Sequence, residues 1–242
     1  MGLKLLCMVA HPDDECFAFG GALALAAQQG VDVQVVCLTD GQAASHRGGS
    51  RSAEELGRMR ATEFADSCEV LGAAHHELWD YQDGQLEFVD FSRTARRIAA
   101  KIREFRPNVV LTFGPDGAVN THPDHTMVSV LTSAAFHWAA SEKRFPDVGP
   151  IHHADRLYTL TTSFFLEGRP APMPAPWTVS VDIREVMELK HEAFRRHVSQ
   201  APLLAQTRVV FEELGHTEHY VLAACREPQP ARQMTCLFEG LG

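Results

Sequence analysis

The sequence is short of several things, and each absence narrows what the chain can be. It has no apolar run near the ~20 residues that a bilayer-spanning helix needs. Its first apolar stretch, Leu3–Ala10, runs straight into His11-Pro12-Asp13-Asp14-Glu15, which would end any signal segment. No membrane insertion and a cytoplasmic location are therefore expected. There is no Cys-x-x-Cys pair. The six cysteines (Cys7, Cys16, Cys37, Cys68, Cys225, Cys236) are dispersed and read as reduced core thiols, not as a disulfide framework or a structural zinc knot. Basic residues are outnumbered, 22 Lys+Arg against 31 Asp+Glu, for a net charge of −9, so no nucleic-acid partner is expected. Internal repeats are absent. Gly20-Gly21 lacks the spacing of a dinucleotide loop, and the acidic residues before it would repel a pyrophosphate.

What is there is a chain of 242 residues, 45% apolar, long enough to bury a sizeable core, with 13 histidines. Continuous or alternating apolar runs predict strands at Leu3–Ala10, Val31–Thr39, His76–Tyr81 and Asn108–Phe113. Helical periodicity predicts helices at Phe17–Gln29, Ala53–Leu71, Phe91–Arg106 and Asp124–Glu142, with Gly30, Gly72 and Pro107 as stops. Ala43–Ser52 reads as a polar loop, either a lid or a flexible connection. Strict strand–helix alternation is the grammar of a parallel sheet with helices on both faces. The second half is less regular. Strands are expected at Arg156–Ser163, Thr178–Ile183 and Glu218–Ala224, and helices at Arg184–Val198 and Ala201–Leu214. The segment Gly168–Pro176 holds four prolines and reads as a stiff surface connection, and the residues from Arg226 read as a tail.

Two clusters carry chemistry. Ala10-His11-Pro12-Asp13-Asp14-Glu15 follows the first strand, and His122-Pro123-Asp124-His125 follows the fourth. In parallel sheets, ligands bind beyond the carboxyl ends of the strands, and the first and fourth strands can be neighbours there. Catalytic zinc takes three ligands from His, Asp, Glu or Cys. Two histidines and a carboxylate meet that count, a second carboxylate can serve as base, and a further histidine can face an oxyanion. Each cluster alone has a plainer reading. Acidic residues suit the first turn of any helix, and His-Pro-Asp-His can be a turn followed by an Asp N-cap. Both clusters at strand ends on one side of one sheet favour a metal.

These motifs resemble the LmbE/PIG-L family of zinc-dependent N-deacetylases, which remove acetyl groups from N-acetylglucosamine-type amides. The likeness covers most of the chain. Thr39-x-Gly41, Arg60-x-x-Glu63, Leu71-Gly72, Asp83-Gly84, Lys190-x-x-Ala193-x-x-x-His197-x-Ser199-Gln200 and Glu218-x-Tyr220 match in order. The resemblance implies a Rossmann-like three-layer α/β fold with a mostly parallel sheet. It implies a single domain over 1–242, with a core over 1–145 and a C-terminal extension over 146–242 that completes the pocket. It implies one Zn2+ held by His11, Asp14 and His125, with Asp13 as general base. His122 is implied as the oxyanion partner or the acid for the leaving amine. Asp124 and His197 are implied to act behind these residues, and Arg60, Asp83 and Gln42 to contact substrate. The implied partner is a small N-acetylated sugar conjugate, with a homo-oligomer also expected. An amidase for another N-acyl or thiol-conjugate substrate has the same motifs, and a non-catalytic metal- or sugar-binding protein would lack a need for Asp13. Two departures bear on substrate. The family's common Thr-x-Gly-Glu is here Thr39-Asp40-Gly41-Gln42, an amide replacing a carboxylate. Val119-Asn120-Thr121 stand before the second motif, where some members carry Gly and a nearby Tyr.

Overall fold

The computed structural model describes residues 2–228 and 232–241, and the side chain of Val119 lies outside that description. Seven strands form one sheet: β1 (Lys4–Val9), β2 (Asp32–Thr39), β3 (His75–Tyr81), β4 (Val109–Thr112), β5 (Arg156–Thr161), β6 (Val179–Asp182) and β7 (Thr217–Cys225). Their order is β3-β2-β1-β4-β5-β7-β6, and β7 alone runs against its neighbours. Residues Leu5 to Ala10 are all fully buried, as the continuous apolar run of a central parallel strand requires.

The helices are α1 (Asp14–Phe17), α2 (Gly20–Gln28), α3 (Ala53–Leu71), α4 (Phe91–Phe105), α5 (Pro123–Ala139), α6 (Met187–Arg195) and α7 (Ala201–Gln206). α1, α2, α3 and α6 pack on one another in one layer, and α4 packs on α5 in another. Right-handed crossovers explain the division. The chain winds from β1 outward to β3, then crosses back to β4, and its helices change face with that reversal. The crevice of such a sheet opens between β1 and β4, beyond their carboxyl ends. No helix among the described residues is long and apolar enough to cross a membrane.

The structure redraws several sequence-based boundaries. The helix expected over 17–29 is two helices, α1 and α2, broken at Ala18–Phe19. The cause lies far along the chain: the Glu218 carboxylate on β7 accepts the N–H groups of Gly21 and Ala22, both at 2.8 Å, and so caps a fresh helix start. Gly21 is needed there, because a Cβ would collide with the Ile183 side chain. The helix expected over 201–214 is α7 followed by a separate π-helical turn, Val210–Leu214. The expected tail is largely docked: Met234 bridges to Val179 on β6, and Leu237 and Phe238 are buried. Residues 229–231 of it lie outside the described residues.

Glu218 also meets Lys190 at 2.6 Å, with both side chains only 4% exposed, and accepts from the Tyr220 hydroxyl. Removing one partner of such a pair strands a buried charge, which costs about 3–5 kcal/mol. Lys190→Met should therefore lower the free energy of unfolding by about that amount in a urea titration. A loss below ~1 kcal/mol would show that the pair is not what ties β7 to α2 and α6.

Candidate metal-dependent active site

The site is assembled from turns at the carboxyl ends of β1, β2, β3 and β4. The end of β2 is tied to that of β1 by Thr39, whose backbone N–H and hydroxyl both donate to the Ala10 carbonyl. The β1 turn carries His11, Asp13 and Asp14; the start of α5 carries His122, Asp124 and His125. The two groups meet: the rings of His11 and His122 are 4.7 Å apart, and those of His11 and His125 are 5.4 Å apart. Ring nitrogens of His11, His122 and His125 gather within 4.8 Å of one another.

Hydrogen bonds fix the state of each imidazole. His125 stacks flat on Phe113, and its Nδ1 lies 3.2 Å from the Gly117 carbonyl, which can only accept. Nδ1 therefore carries the proton, and the lone pair of the neutral ring is at Nε2. Nε2 is buried without a hydrogen-bond partner, yet Asp14 Oδ1 stands 3.1 Å away, out of line for a hydrogen bond. Two electron-rich atoms facing one another in this way fit a shared cation.

His11 Nε2 meets Asp83 Oδ1 at 3.0 Å and Asp124 Oδ2 at 3.1 Å, so Nε2 carries a proton, and Nδ1 turns towards Asp14, 3.5 Å away. This is the arrangement in which a carboxylate orients a ligating histidine. His122 caps α5, its Nδ1 accepting from the Asp124 N–H at 3.1 Å. The proton of neutral His122 is therefore at Nε2, which can donate it.

Burial and charge act in opposition here. Burial alone would lower the basicity of His11, but Asp124, Asp14 and Asp83 outweigh it and hold the ring well above the usual histidine range. Burial would raise Asp14, but His125 and His11, when protonated, hold it well below the usual carboxylate range. Burial pushes Asp13 up to about 6, against the opposing pull of Arg60. Burial, with His11 and His125 nearby, lowers His122 and keeps it neutral.

A cavity of about 330 Å³ opens onto this cluster, and His11, Asp13, Asp14, Arg60, Asp83, His122 and His125 all reach its wall. Its outer wall comes from elsewhere: Ala43 to His46 after β2, Asn120 before α5, and Leu166, Arg169, Gln200, Leu203 and Thr207 from the second half. Asp124, Gln42 and His197 do not line it. Asp124 joins the His11 ring to the turn after β3 by accepting from Gly84 N and Leu86 N. Gln42 turns its NH2 to the Asp40 carboxylate and accepts from Asp83 N, so it supports the Asp83 turn from behind. His197 lies buried against Glu15, 2.7 Å from Oε1. None of the three tryptophans lines the cavity.

Arg60 differs from a simple substrate-facing side chain. It is 2% exposed, and its guanidinium donates to the Gly41 and Pro12 carbonyls and to Asp13 Oδ2. Gly41, at φ 65°, is required beside it, since a Cβ would strike the guanidinium. Asp13 is itself at φ 107°, a conformation that costs a non-glycine residue about 1–3 kcal/mol. Sequence reasoning gave no role to Glu15, Ser67 or Glu63. Glu63 accepts from the backbone and hydroxyl of Ser199, which ties α3 to the turn after α6. The clue was present: Arg60-x-x-Glu63 and Ser199-Gln200 were matched as separate motifs, and the fold makes them one contact.

The family model described as PIG-L, GlcNAc-PI de-N-acetylase, matches residues 6–136. A 1D-myo-inositol 2-acetamido-2-deoxy-alpha-D-glucopyranoside deacetylase of Rhodococcus jostii is 30% identical, over 99% of this chain and 98% of its own length. Among solved structures, N,N'-diacetylchitobiose deacetylase of Pyrococcus horikoshii is similar with a TM-score of 0.72 and 22% identity, covering 90% of this chain and 82% of its own. The 4-carboxy-2-hydroxymuconate hydratase of Pseudomonas putida KT2440 shares the fold at a TM-score of 0.75 and 23% identity, covering 94% and 99%. The extent of the family match and of the Rhodococcus alignment places the chain in the PIG-L (LmbE-like) family.

Proposed function

We propose that this protein is a zinc-dependent hydrolase that removes the N-acetyl group from a glucosamine-type conjugate, releasing acetate and a free amine. The observation that carries this reading is the facing of His125 Nε2 and Asp14 Oδ1 beside His11, a buried set of two ring nitrogens and a carboxylate. His11 Nδ1, an Asp14 oxygen and His125 Nε2 would hold the ion. Two nitrogens and a carboxylate oxygen suit zinc, with a position left open. When bound, such an ion supplies Lewis acidity, making water a better nucleophile near neutral pH and polarising the amide carbonyl.

The chain's own groups do the rest. Asp13 lines the cavity with Oδ2 held by Arg60, so its other oxygen, Oδ1, takes the proton of the attacking water. Neutral His122 offers its Nε2–H to the carbonyl oxygen as negative charge gathers there. Asp13 then returns its proton to the leaving nitrogen. Sugar hydroxyls meet Asp83 and Arg60 at the cavity wall, with Gln42 steadying the Asp83 turn. The glucosamine unit is common to the names of the Rhodococcus and Pyrococcus relatives, and their different appendages suit a mouth built from variable loops.

Three outcomes test this. Purified protein should hold about one zinc per chain and release free amine from an N-acetylglucosamine conjugate, while His125→Ala should lose the metal. Asp13→Asn should keep the metal and lower kcat by about 10²–10⁴-fold; full activity in that variant would remove Asp13 as the base. The base must be ionised, so activity falls as pH drops through the Asp13 value. Burial sets that value at about 6, and a neighbouring cation favours the carboxylate. The acid limb of kcat/KM should thus lie at or below about 6. A limb well above it would assign the base elsewhere.

A further inference from the structure

We infer that Glu15 is a positioning residue for the reaction, and that its buried carboxylate, held by Ser67 and His197, sets the backbone angle that aims Asp13. The inference rests on the reading of Asp13 as the base. Its starting point is φ 107° at Asp13. That angle describes how the peptide plane between Pro12 and Asp13 is turned about the Asp13 N–Cα bond. The plane offers two polar handles, the Pro12 carbonyl and the Asp13 N–H, and each is gripped by a buried charged group. Arg60 Nη2 donates to the Pro12 carbonyl. Glu15 Oε2 accepts from the Asp13 N–H at 2.9 Å. With both ends of one rigid plane held, the rotation is fixed.

Glu15 is itself immobilised. Its other oxygen, Oε1, accepts from Ser67 Oγ at 2.5 Å and faces His197 Nε2 at 2.7 Å. Neither Glu15 nor His197 has any exposed side-chain surface. Arg60 and Ser67 lie seven residues apart on α3, two turns along one buried face, so a single helix supplies a grip for each end of the plane. His197 comes from the turn after α6, in the second half of the chain. The carboxylate does not touch the cavity: it acts on Asp13 through one hydrogen bond to its backbone. A group with only a packing role would not need two fixed oxygens and three donors.

Kinetics of metal-loaded variants separate positioning from packing. Glu15→Gln should lower kcat about 10–100-fold, with KM and zinc content unchanged. His197→Ala should lower kcat in the same way, and His197→Gln, whose amide can donate where Nε2 does, should restore most of it. Ser67→Ala, the mildest change, keeps the fold in reserve and should lower kcat by a few fold. In an Asp13→Asn background, Glu15→Gln should have no further effect, because its route to the chemistry runs through Asp13. Wild-type kcat in folded, metal-loaded Glu15→Gln overturns the inference, as does a loss that appears as raised KM, as missing zinc, or undiminished in the Asp13→Asn background. Activity surviving in Asp13→Asn alone would instead overturn the assignment of the base.

Discussion

Asp13, Asp14, Asp83 and Asp124 stand around three imidazoles in the crevice, and Arg60 sets a permanent positive charge against Asp13. Carboxylates so close disfavour one another's ionisation, and burial adds to the cost. The structure relieves this by spending protons and donors: His11 is held between carboxylates, and Asp124 takes the backbone N–H groups of Gly84 and Leu86. One contact is left unresolved, His125 Nε2 against Asp14 Oδ1. A divalent ion held there, as proposed, would satisfy both atoms, and its charge would offset the acidic cluster that the fold has gathered.

That need explains where the site lies. The sheet reverses its winding between β1 and β4, so the two turns that leave these strands face each other across the crevice. Backbone hydrogen bonds between β1, β2 and β4 anchor the strands from which these turns leave. The mouth is made of different material, the loop after β2 and the segments carrying Leu166, Arg169, Gln200 and Leu203. In the proposed reading, chemistry sits on the turns that leave the sheet and recognition on the loops of the mouth.

The first half of the fold was readable because its signals are local. A run such as Leu5 to Ala10 is buried on both faces wherever it is placed, and Gly72 ends its helix by its own conformation. The two histidine–carboxylate clusters were readable because each falls within a few residues of a strand end. What could not be read depends on distant partners. The break between α1 and α2 comes from a carboxylate 197 positions away. Glu15 acquires its setting from His197, 182 positions on, and Ser67, 52 on. Arg60 and Asp83 line the cavity, but Arg60 also grips Asp13 and Asp83 also meets His11, contacts no local pattern announces. The docked end of the chain was hidden too, since Leu237-Phe238 is too short a run to announce a partner.

Anomalous diffraction from crystals of the zinc-loaded protein tests the shared-cation claim most directly. The peak should lie about 2.0–2.2 Å from His11 Nδ1, an Asp14 oxygen and His125 Nε2, with His122 unbonded and its Nδ1 still on the Asp124 N–H. A metal bonded to His122 while Asp14 turns away, or no metal between these residues at all, would contradict it.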